Sequence, residues 1–222
     1  MQRIAVIGMG RFGVMLAKSL ARRGVEVIAV DASPALLDQV KDDVHLAVCL
    51  DSTDEQALVS QEIHHADVAV VTIGENFEAS LLTAAILRKL SPIRLICRAQ
   101  TEVHAEIFRR LGADEIIQPE SEAGINLARR LAHPHFREHI ELSDGLSLVE
   151  LETPAAFVGK TIKDLQLRQK YQVNVALIRR TAAGGNVGPA KKTYVPLPEF
   201  VLQAGDILVV LGTDAAVSSL PK

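Results

Sequence analysis

Short aliphatic runs alternate with amphipathic stretches along the first half of the chain. The runs recur about every 20–25 residues, which is the length of one strand, one helix and two short loops. Continuous aliphatic runs are typical of parallel strands whose two faces are both covered. The predicted strands are Ile4–Ile7, Val27–Val30, Leu46–Leu50, Val68–Ile73, Leu95–Cys97 and Ile116–Ile117.

Helix signals fill the intervals between these runs. Capping or acidic residues mark the starts, and Gly or Pro marks the stops. The signals are Gly24 as the first stop, Ser33-Pro34 and Thr53-Asp54-Glu55 as starts, a helix over 76–90 before Pro92, and a helix over 101–111 ending at Gly112. This alternation predicts an α/β fold: a Rossmann-like, doubly wound parallel sheet of strand order 3-2-1-4-5-6.

The pattern changes after Leu131, where Ala132-His133-Pro134-His135 interrupts a helix. We therefore divide the chain into an N-terminal domain (1–120), a linker helix and hinge (121–138) and a small α+β lobe (139–222). In the lobe we predict strands at Leu146–Leu151, Val173–Ile178 and Ile207–Leu211, a short helix over 159–169, a flexible loop over 182–190 and a last helix capped by Thr213.

The first strand leads into Gly8-Met9-Gly10-Arg11-Phe12-Gly13. G-x-G-x-x-G between a strand and a helix is the fingerprint of a nucleotide-binding turn: the first glycine turns sharply, the second admits a phosphate and the third packs closely. The helix N-terminus offers N–H groups to an anion. Asp31 ends the second strand, where a carboxylate accepts from ribose hydroxyls. The alternative is a glycine turn without a ligand.

Other strand ends carry further candidates. Arg11 opposes the helix dipole by about 0.3–1 kcal/mol, so it either contacts phosphate, in its own subunit or a neighbour's, or is a solvated surface residue. Asp51-Ser52-Thr53 follows the third strand and either contacts adenosine or caps a helix. Thr72-Ile73-Gly74 is predicted to turn closely beside the glycine loop.

Two charged residues complete this edge of the predicted sheet. Arg98 interrupts an apolar strand end and either contacts phosphate or forms an ion pair. Glu120 would be repelled by a polyphosphate unless a cation such as Mg²⁺ lay between them. Alternatively, Glu120 is an acid that favours the start of the next helix.

Composition narrows the function. The chain has 222 residues, 48% of them hydrophobic, and a net charge of −3. No nucleic-acid partner is expected, because phosphate-backbone binding needs a basic face. Cys49 and Cys97 stand in apolar runs and are predicted to be buried thiols of a reducing compartment. The sequence shows no leader and no run of 18 apolar residues, so we expect a cytoplasmic protein.

No catalytic set accompanies the nucleotide signature. Tyr-x-x-x-Lys is absent after both tyrosines, and His133, His135 and His139 gather in the hinge, where a metal site lacks further ligands. We therefore expect a protein that is not an enzyme and for which the nucleotide is a signal. The alternatives are an NAD(H)-dependent oxidoreductase and a free-standing nucleotide-sensing scaffold.

These motifs together resemble those of the RCK (regulator of potassium conductance) family, and a single pair of lobes is most similar to its KtrA/TrkA branch. The matching segments are Gly8-Met9-Gly10-Arg11-Phe12-Gly13, Asp31, Leu50-Asp51-Ser52-Thr53, Thr72-Ile73-Gly74, Cys97-Arg98-Ala99-Gln100, Gln118-Pro119-Glu120, Gly159-Lys160-Thr161-Ile162, 165–167 and Ala204-Gly205-Asp206-Ile207-Leu208. The resemblance covers nearly the whole chain.

The resemblance implies a gating subunit of a potassium uptake system. Such subunits dimerise, form an octameric ring and dock at the inner face of the cell membrane on a membrane-embedded transporter subunit (KtrB/TrkH-like). ATP favours the conducting form and ADP the inactive one. By motif, Arg11 would reach a γ-phosphate across the dimer, and Glu120 would help hold a cation such as Mg²⁺. Cyclic di-AMP would bind the C-lobe near Arg168 and Asn174.

Overall fold

The computed structural model describes residues 2–132, 136–143, 145–181 and 191–221. The chain divides into two compact units, Met1–Glu122 and Ala123–Lys222. The expected flexible loop over 182–190 lies outside the described residues, as do His133, His135 and the side chain of His139. No helix in the described part of the chain has the length and apolar character needed to cross a membrane.

The first unit is a parallel six-stranded sheet flanked by helices. In chain order its elements are β1 (Arg3–Ile7), α1 (Arg11–Ala21), β2 (Glu26–Asp31), α2 (Pro34–Leu37), β3 (Leu46–Cys49), α3 (Glu55–Ser60), a 3₁₀ turn (Ile63–His65), β4 (Val68–Val71), α4 (Phe77–Leu90), β5 (Arg94–Arg98), α5 (Glu102–Leu111) and β6 (Glu115–Ile117). The order β3-β2-β1-β4-β5-β6 confirms the predicted topology. Helix α6 (Pro119–Ala132) follows.

Local signals set the helix boundaries. Asp54 accepts from the first N–H groups of α3, Asn76 from those of α4 and Thr101 from those of α5. Gly112 ends α5 in the left-handed conformation (φ 93°), which costs glycine little because it has no Cβ. Ser33 precedes α2, whose first residue is Pro34.

The two faces of the sheet bury separate apolar clusters. On β1, Ile4 and Val6 pack with residues of α1 and α2, whereas Ala5 and Ile7 pack with residues of α3, α4 and α5. The helix after β1 and the helix after β4 therefore cover opposite faces. At such a switch point a crevice opens at the carboxyl ends of the strands, here between β1 and β4.

The expectation that both cysteines are buried is half wrong. Cys97 is fully buried in β5, but Cys49 is exposed at the end of β3. β3 is an edge strand with only β2 beside it, so its last residue is not enclosed by neighbours. Burial raises the pKa of the Cys97 thiol to about 12.

The second unit is an antiparallel sheet with short helices. Its elements are β7 (Phe136–Ser143), β8 (Leu146–Glu152), a 3₁₀ turn (Ala155–Phe157), α7 (Ile162–Leu165), α8 (Leu167–Tyr171), β9 (Asn174–Thr181), β10 (Lys191–Tyr194), β11 (Ile207–Thr213) and α9 (Asp214–Ser218). The strand order is β10-β9-β11-β8-β7.

Two details of this unit differ from the sequence expectation. β7 begins at Phe136, inside the segment assigned to linker and hinge, and its alternating sequence Phe-Arg-Glu-His-Ile-Glu-Leu is a strand signal. The single helix over 159–169 is two helices, α7 and α8. They are separated by Gln166, which is left-handed (φ 47°).

A buried ion pair fixes the turn before β11. Asp206 is 1% exposed and accepts two hydrogen bonds of 2.7 Å from the Arg180 guanidinium. The backbone N–H of Gln203 donates to the same carboxylate at 2.9 Å. Desolvation acts to raise the pKa of Asp206, but the hydrogen bonds and charge of Arg180 outweigh it and lower that pKa. The rings of Tyr194 and Phe200 lie 5.8 and 5.0 Å from the guanidinium carbon.

Candidate nucleotide-binding site

The glycine loop is shaped by close backbone contacts. Gly8 is left-handed (φ 104°), and a Cβ there would lie 2.8 Å from the Ile73 nitrogen. A Cβ on Gly13 would lie 1.9 Å from the Gly8 carbonyl oxygen. Gly10 is different, because a Cβ there would meet nothing within 4 Å. Gly8 and Gly13 are therefore fixed by the fold itself, whereas Gly10 is open to solvent.

The N-terminus of α1 has no capping side chain. Gly10 occupies the cap position, and the first turn contains no acidic residue. The first α-helical hydrogen bond runs from the Val14 N–H to the Gly10 carbonyl at 3.0 Å. The N–H groups of the first turn are thus available to an anion. Arg11, also in this turn, is exposed and Phe12 is half-buried.

Asp31 joins the end of β2 to the glycine loop. One carboxylate oxygen accepts from the Met9 N–H at 2.6 Å, and the other accepts from the Ser33 N–H at 2.7 Å. Each oxygen keeps a second lone pair, and the side chain is partly exposed. The carboxylate can therefore still accept from a ribose hydroxyl. The contact to Met9 was not anticipated from the sequence, because it is a backbone contact.

Thr72 joins the end of β4 to the same loop. Its N–H donates to the Ile7 carbonyl at 2.8 Å, and its hydroxyl lies 3.0 Å from that oxygen and 2.6 Å from the Gly8 carbonyl oxygen. The residue is 2% exposed. Together with Ile73, which contacts Gly8, it makes the close turn predicted for Thr72-Ile73-Gly74.

Arg98 lies against this turn. Its side chain is 14% exposed, and a Cβ on Gly74 would lie 2.2 Å from one guanidinium nitrogen. The other terminal nitrogen donates to the Glu120 carboxylate. Desolvation acts to raise the pKa of Glu120, but the hydrogen bond and charge of Arg98 lower it overall. The structure thus places both predicted residues in one ion pair.

Asp51-Ser52-Thr53 forms a turn that precedes the cap of α3. One Asp51 oxygen accepts from the Thr53 N–H at 2.9 Å and from its hydroxyl at 2.7 Å, and these bonds lower the pKa of Asp51. The helix cap itself is Asp54. Ser52 is buried, with its hydroxyl 2.7 Å from that of Thr83 on α4. The sequence did not indicate this contact of Thr83. Its one unusual feature was that it is a polar residue on an apolar helix face.

The described residues include no group of three or more His, Cys, Asp or Glu side chains that could hold a metal ion. Glu120 is 63% exposed at the start of α6 and supplies one carboxylate. The residues present therefore fit a cation only if other ligands, such as phosphate oxygens and water, complete its coordination.

The second unit has its own cavity, of about 490 Å³. Arg168 and Asn174 both line it, and the Arg168 side chain donates to the Asn174 amide oxygen. Apolar residues of α7, of α8, of β9 and of the segment between α8 and β9 form other parts of the wall: Ile162, Leu167, Val175 and Val173. The structure thus brings the two C-lobe candidates together.

Comparisons with known proteins cover the whole chain. Residues 4–119 match the TrkA-N domain and residues 146–221 the TrkA-C domain. Ktr system potassium uptake protein C of Bacillus subtilis (strain 168) is 34% identical over 222 residues, which are 100% of this chain and 96% of that protein. Protein A of the same system and strain is 34% identical over 211 residues, covering 95% and 91%.

Solved structures show the same fold. The GsuK RCK domain superposes with a TM-score of 0.63 at 20% identity, over 98% of this chain and 46% of that one. The GsuK channel bound to NAD gives 0.55 at 27% identity, over 99% and 38%. GsuK bound to ADP gives 0.50 at 29% identity, over 60% and 34%. The chain therefore spans less than half of each GsuK chain.

Proposed function

Because the chain belongs to the KtrA/TrkA family of RCK-domain potassium uptake proteins, we propose that it is the nucleotide-sensing regulatory subunit of such a system. The observation that carries the proposal is the uncapped N-terminus of α1 beside the Asp31 carboxylate. The helix terminus suits a phosphate and the carboxylate suits a ribose. The protein would act by binding rather than by catalysis.

The ligand we propose is an adenosine nucleotide. GsuK has been solved with NAD and with ADP, and the two ligands share an adenosine diphosphate. In this chain the diphosphate would lie on the N–H groups around Gly10, and the ribose beside Asp31. Asp51, Ser52 and Thr53 would border the adenine side, because they follow β3, the neighbour of β2.

ATP and ADP are the pair we propose as the switch, and NAD(H) is the competing ligand. Arg11 is exposed in the first turn of α1, so it is free to reach a γ-phosphate bound by a neighbouring subunit. ATP would then join two N-terminal domains, whereas ADP would leave the interface between them charge-unbalanced, and the two nucleotides would thereby switch the conformation of the ring. A coupling free energy of about 1–3 kcal/mol is usual between such sites, and ring symmetry would repeat it.

A cation would complete the triphosphate state. Glu120 would be its protein ligand, with phosphate oxygens supplying further ligands. Such an ion would neutralise charge between the carboxylate and the phosphates. The chain's own contribution is to hold one carboxylate at the start of α6, beside Arg98.

The partner we propose is a membrane-embedded potassium transporter subunit. Dimers of this chain would assemble into an octameric ring at the cytoplasmic face of the membrane and transmit the nucleotide state to that partner. The relatives are named for potassium uptake, which supports this assignment. The potassium ion itself would pass through the partner.

A second ligand is proposed for the C-lobe cavity. Arg168 supplies a cationic fork for a phosphate, Asn174 supplies an amide, and the apolar wall suits a base. Cyclic di-AMP combines these groups.

Calorimetry on the purified chain with ATP, ADP, NADH and cyclic di-AMP, with particle mass measured in each state, tests the proposal. We expect ATP and ADP to bind and to give different assemblies. Hydride transfer to a substrate, or a monomer that responds identically to ATP and ADP, would contradict it.

A further inference from the structure

Arg98 is a cation held in place by the fold. Its guanidinium packs on the backbone at Gly74, where a side chain would clash with it, and only 14% of the side chain is exposed. A guanidinium this deeply buried needs an anion, because removing a charge from water without a partner costs several kcal/mol. Glu120 is the anion present.

The ion pair with Glu120 does not use all the hydrogen-bond donors of the Arg98 guanidinium. The Nε group of Arg98 is buried, and no described residue accepts its hydrogen bond. One terminal nitrogen makes only a long contact, 3.5 Å, with the Thr72 carbonyl oxygen. Glu120 itself is 63% exposed. The ion pair therefore joins the fixed Arg98 guanidinium, which has unused hydrogen-bond donors, to the exposed Glu120 carboxylate. Water can solvate that carboxylate once it separates from Arg98.

Thr72 connects Arg98 to the candidate phosphate site. Its carbonyl oxygen faces the Arg98 guanidinium, and its hydroxyl lies 2.6 Å from the Gly8 carbonyl oxygen. Arg98 thus contacts Thr72, which in turn contacts the glycine loop. It lies on the side of the crevice opposite Asp31. A phosphate chain that began at Gly10 and extended across the β1–β4 crevice would approach Arg98 at its far end, because β5 lies next to β4.

We propose that Arg98 exchanges its counter-ion: a terminal phosphate of the bound nucleotide displaces Glu120, which is thereby released. This inference rests on the proposed nucleotide site and deepens it. Phosphate suits the guanidinium better than one carboxylate does, because its three oxygens can occupy donors that Glu120 leaves unused. Glu120 is therefore a competitor of the nucleotide when no cation is present.

The first experiment measures ADP and ATP affinity in EDTA for Glu120→Gln. Removing the competing Glu120 carboxylate should strengthen nucleotide binding. We expect the affinity for nucleotide to rise about threefold to tenfold, which is the scale of a partly exposed ion pair. A carboxylate that only ligated a cation would also repel the phosphates when the metal is absent, so the dependence of the gain on Arg98 decides between the two roles. The matched control is Glu122→Gln, which removes the same charge from the same helix turn and should change affinity less than about twofold.

A double-mutant cycle identifies Arg98 as the site of exchange. In an Arg98→Met background, Glu120→Gln should no longer strengthen binding, because no cation remains to compete for. Arg98→Gln serves the same purpose if Arg98→Met does not fold. A gain that persists in this background, or an equal gain from Glu122→Gln, would overturn the exchange.

The outcomes separate the two proposals. If the wild-type chain binds neither ADP nor ATP, the proposed function fails, and the exchange fails with it. If the wild type binds both but Glu120→Gln binds them equally or more weakly in EDTA, only the exchange is overturned.

Discussion

The Asp31 carboxylate accepts the Met9 N–H at 2.6 Å, so the acid at the end of β2 holds the middle of the glycine loop at the end of β1. The same side chain is the proposed ribose acceptor. Loop geometry and ribose recognition therefore depend on one carboxylate.

Asp31→Asn should weaken ATP and ADP by similar factors, since both ligands contain the ribose. We expect a loss of about tenfold to a hundredfold, the scale of one charged hydrogen bond. Calorimetry measures it. Asp38→Asn, at the exposed end of α2, is the control and should leave affinity unchanged. Equal affinities for the wild type and Asp31→Asn would place the ribose elsewhere.

Arg11→Ala should weaken ATP binding more than ADP binding, because the proposed partner of Arg11 is the γ-phosphate. A difference of about tenfold corresponds to 1.4 kcal/mol. Binding titrations and particle mass with each nucleotide measure it, and the ATP-dependent assembly should be lost. Arg22→Ala, also exposed but at the other end of α1, is the matched control. Equal losses for both nucleotides would remove the γ-phosphate role.

Two glycine substitutions should separate folding from binding. Gly13→Ala forces a Cβ to within 1.9 Å of the Gly8 oxygen, so we expect it to destabilise the first unit by about 1–3 kcal/mol. Gly10→Ala meets no protein atom within 4 Å and should fold normally, yet bind nucleotide weakly because its methyl group obstructs the phosphate.

Hydrogen exchange of the β1 and α1 peptides measures the stability difference, and calorimetry measures binding. Normal protection of these peptides in Gly13→Ala would show that the backbone yields at little cost. Full nucleotide affinity in Gly10→Ala would show that the phosphate does not approach this backbone.

Asp206→Asn should destabilise the second unit by about 3–5 kcal/mol, because it leaves the Arg180 charge without its partner. The chain has no Trp, and Tyr171 and Tyr194 both lie in this unit. Tyrosine fluorescence during urea unfolding therefore reports on this unit alone. Asp164→Asn, whose carboxylate is exposed, is the control and should cost far less.

The same ion pair should make acid unfolding depend on Asp206. Its pKa is below the ordinary value of 3.8 in the folded state. The stabilisation is therefore complete above about pH 4 and is lost as the pH falls through the lower folded pKa. In Asp206→Asn this part of the pH dependence should disappear. An unchanged acid transition in the variant would assign it to other carboxylates.

A thiol reagent at pH 8 should label Cys49 and leave Cys97 unreacted, because only Cys49 is exposed and the pKa of Cys97 is about 12. Mass spectrometry should show one adduct per folded chain and two after denaturation. Cys49→Ser should show none while folded. Labelling of folded Cys49→Ser would mean that β5 opens readily.

The parts of the fold that local signals encode were predictable from the sequence. Aliphatic runs fixed the strands and caps such as Asn76 fixed helix starts, because these signals act within a few residues. Gln166 escaped prediction, because a left-handed glutamine that divides two helices has no local signature. Cys49 was misjudged although the predicted strand order itself placed β3 at the sheet edge.

The candidate site was predictable as a list of positions and not as a set of contacts. Arg98 and Glu120 are 22 residues apart, and nothing in the sequence indicated that they would form an ion pair with each other. The hydrogen bond from the Met9 N–H to Asp31 likewise depends on two strands meeting in register.

The Thr72 hydroxyl would contribute to ligand affinity by ordering the glycine loop in advance. Its hydroxyl extends the β1–β4 pairing past the last ladder residue, to the Gly8 carbonyl. The floor of the crevice is thereby ordered before any ligand arrives, so binding does not have to supply the entropy of ordering it. Thr72→Val keeps the shape of the side chain and removes the hydroxyl. The floor of the crevice would then be ordered when the ligand binds rather than when the chain folds, so the entropic cost of ordering it would lower the binding affinity.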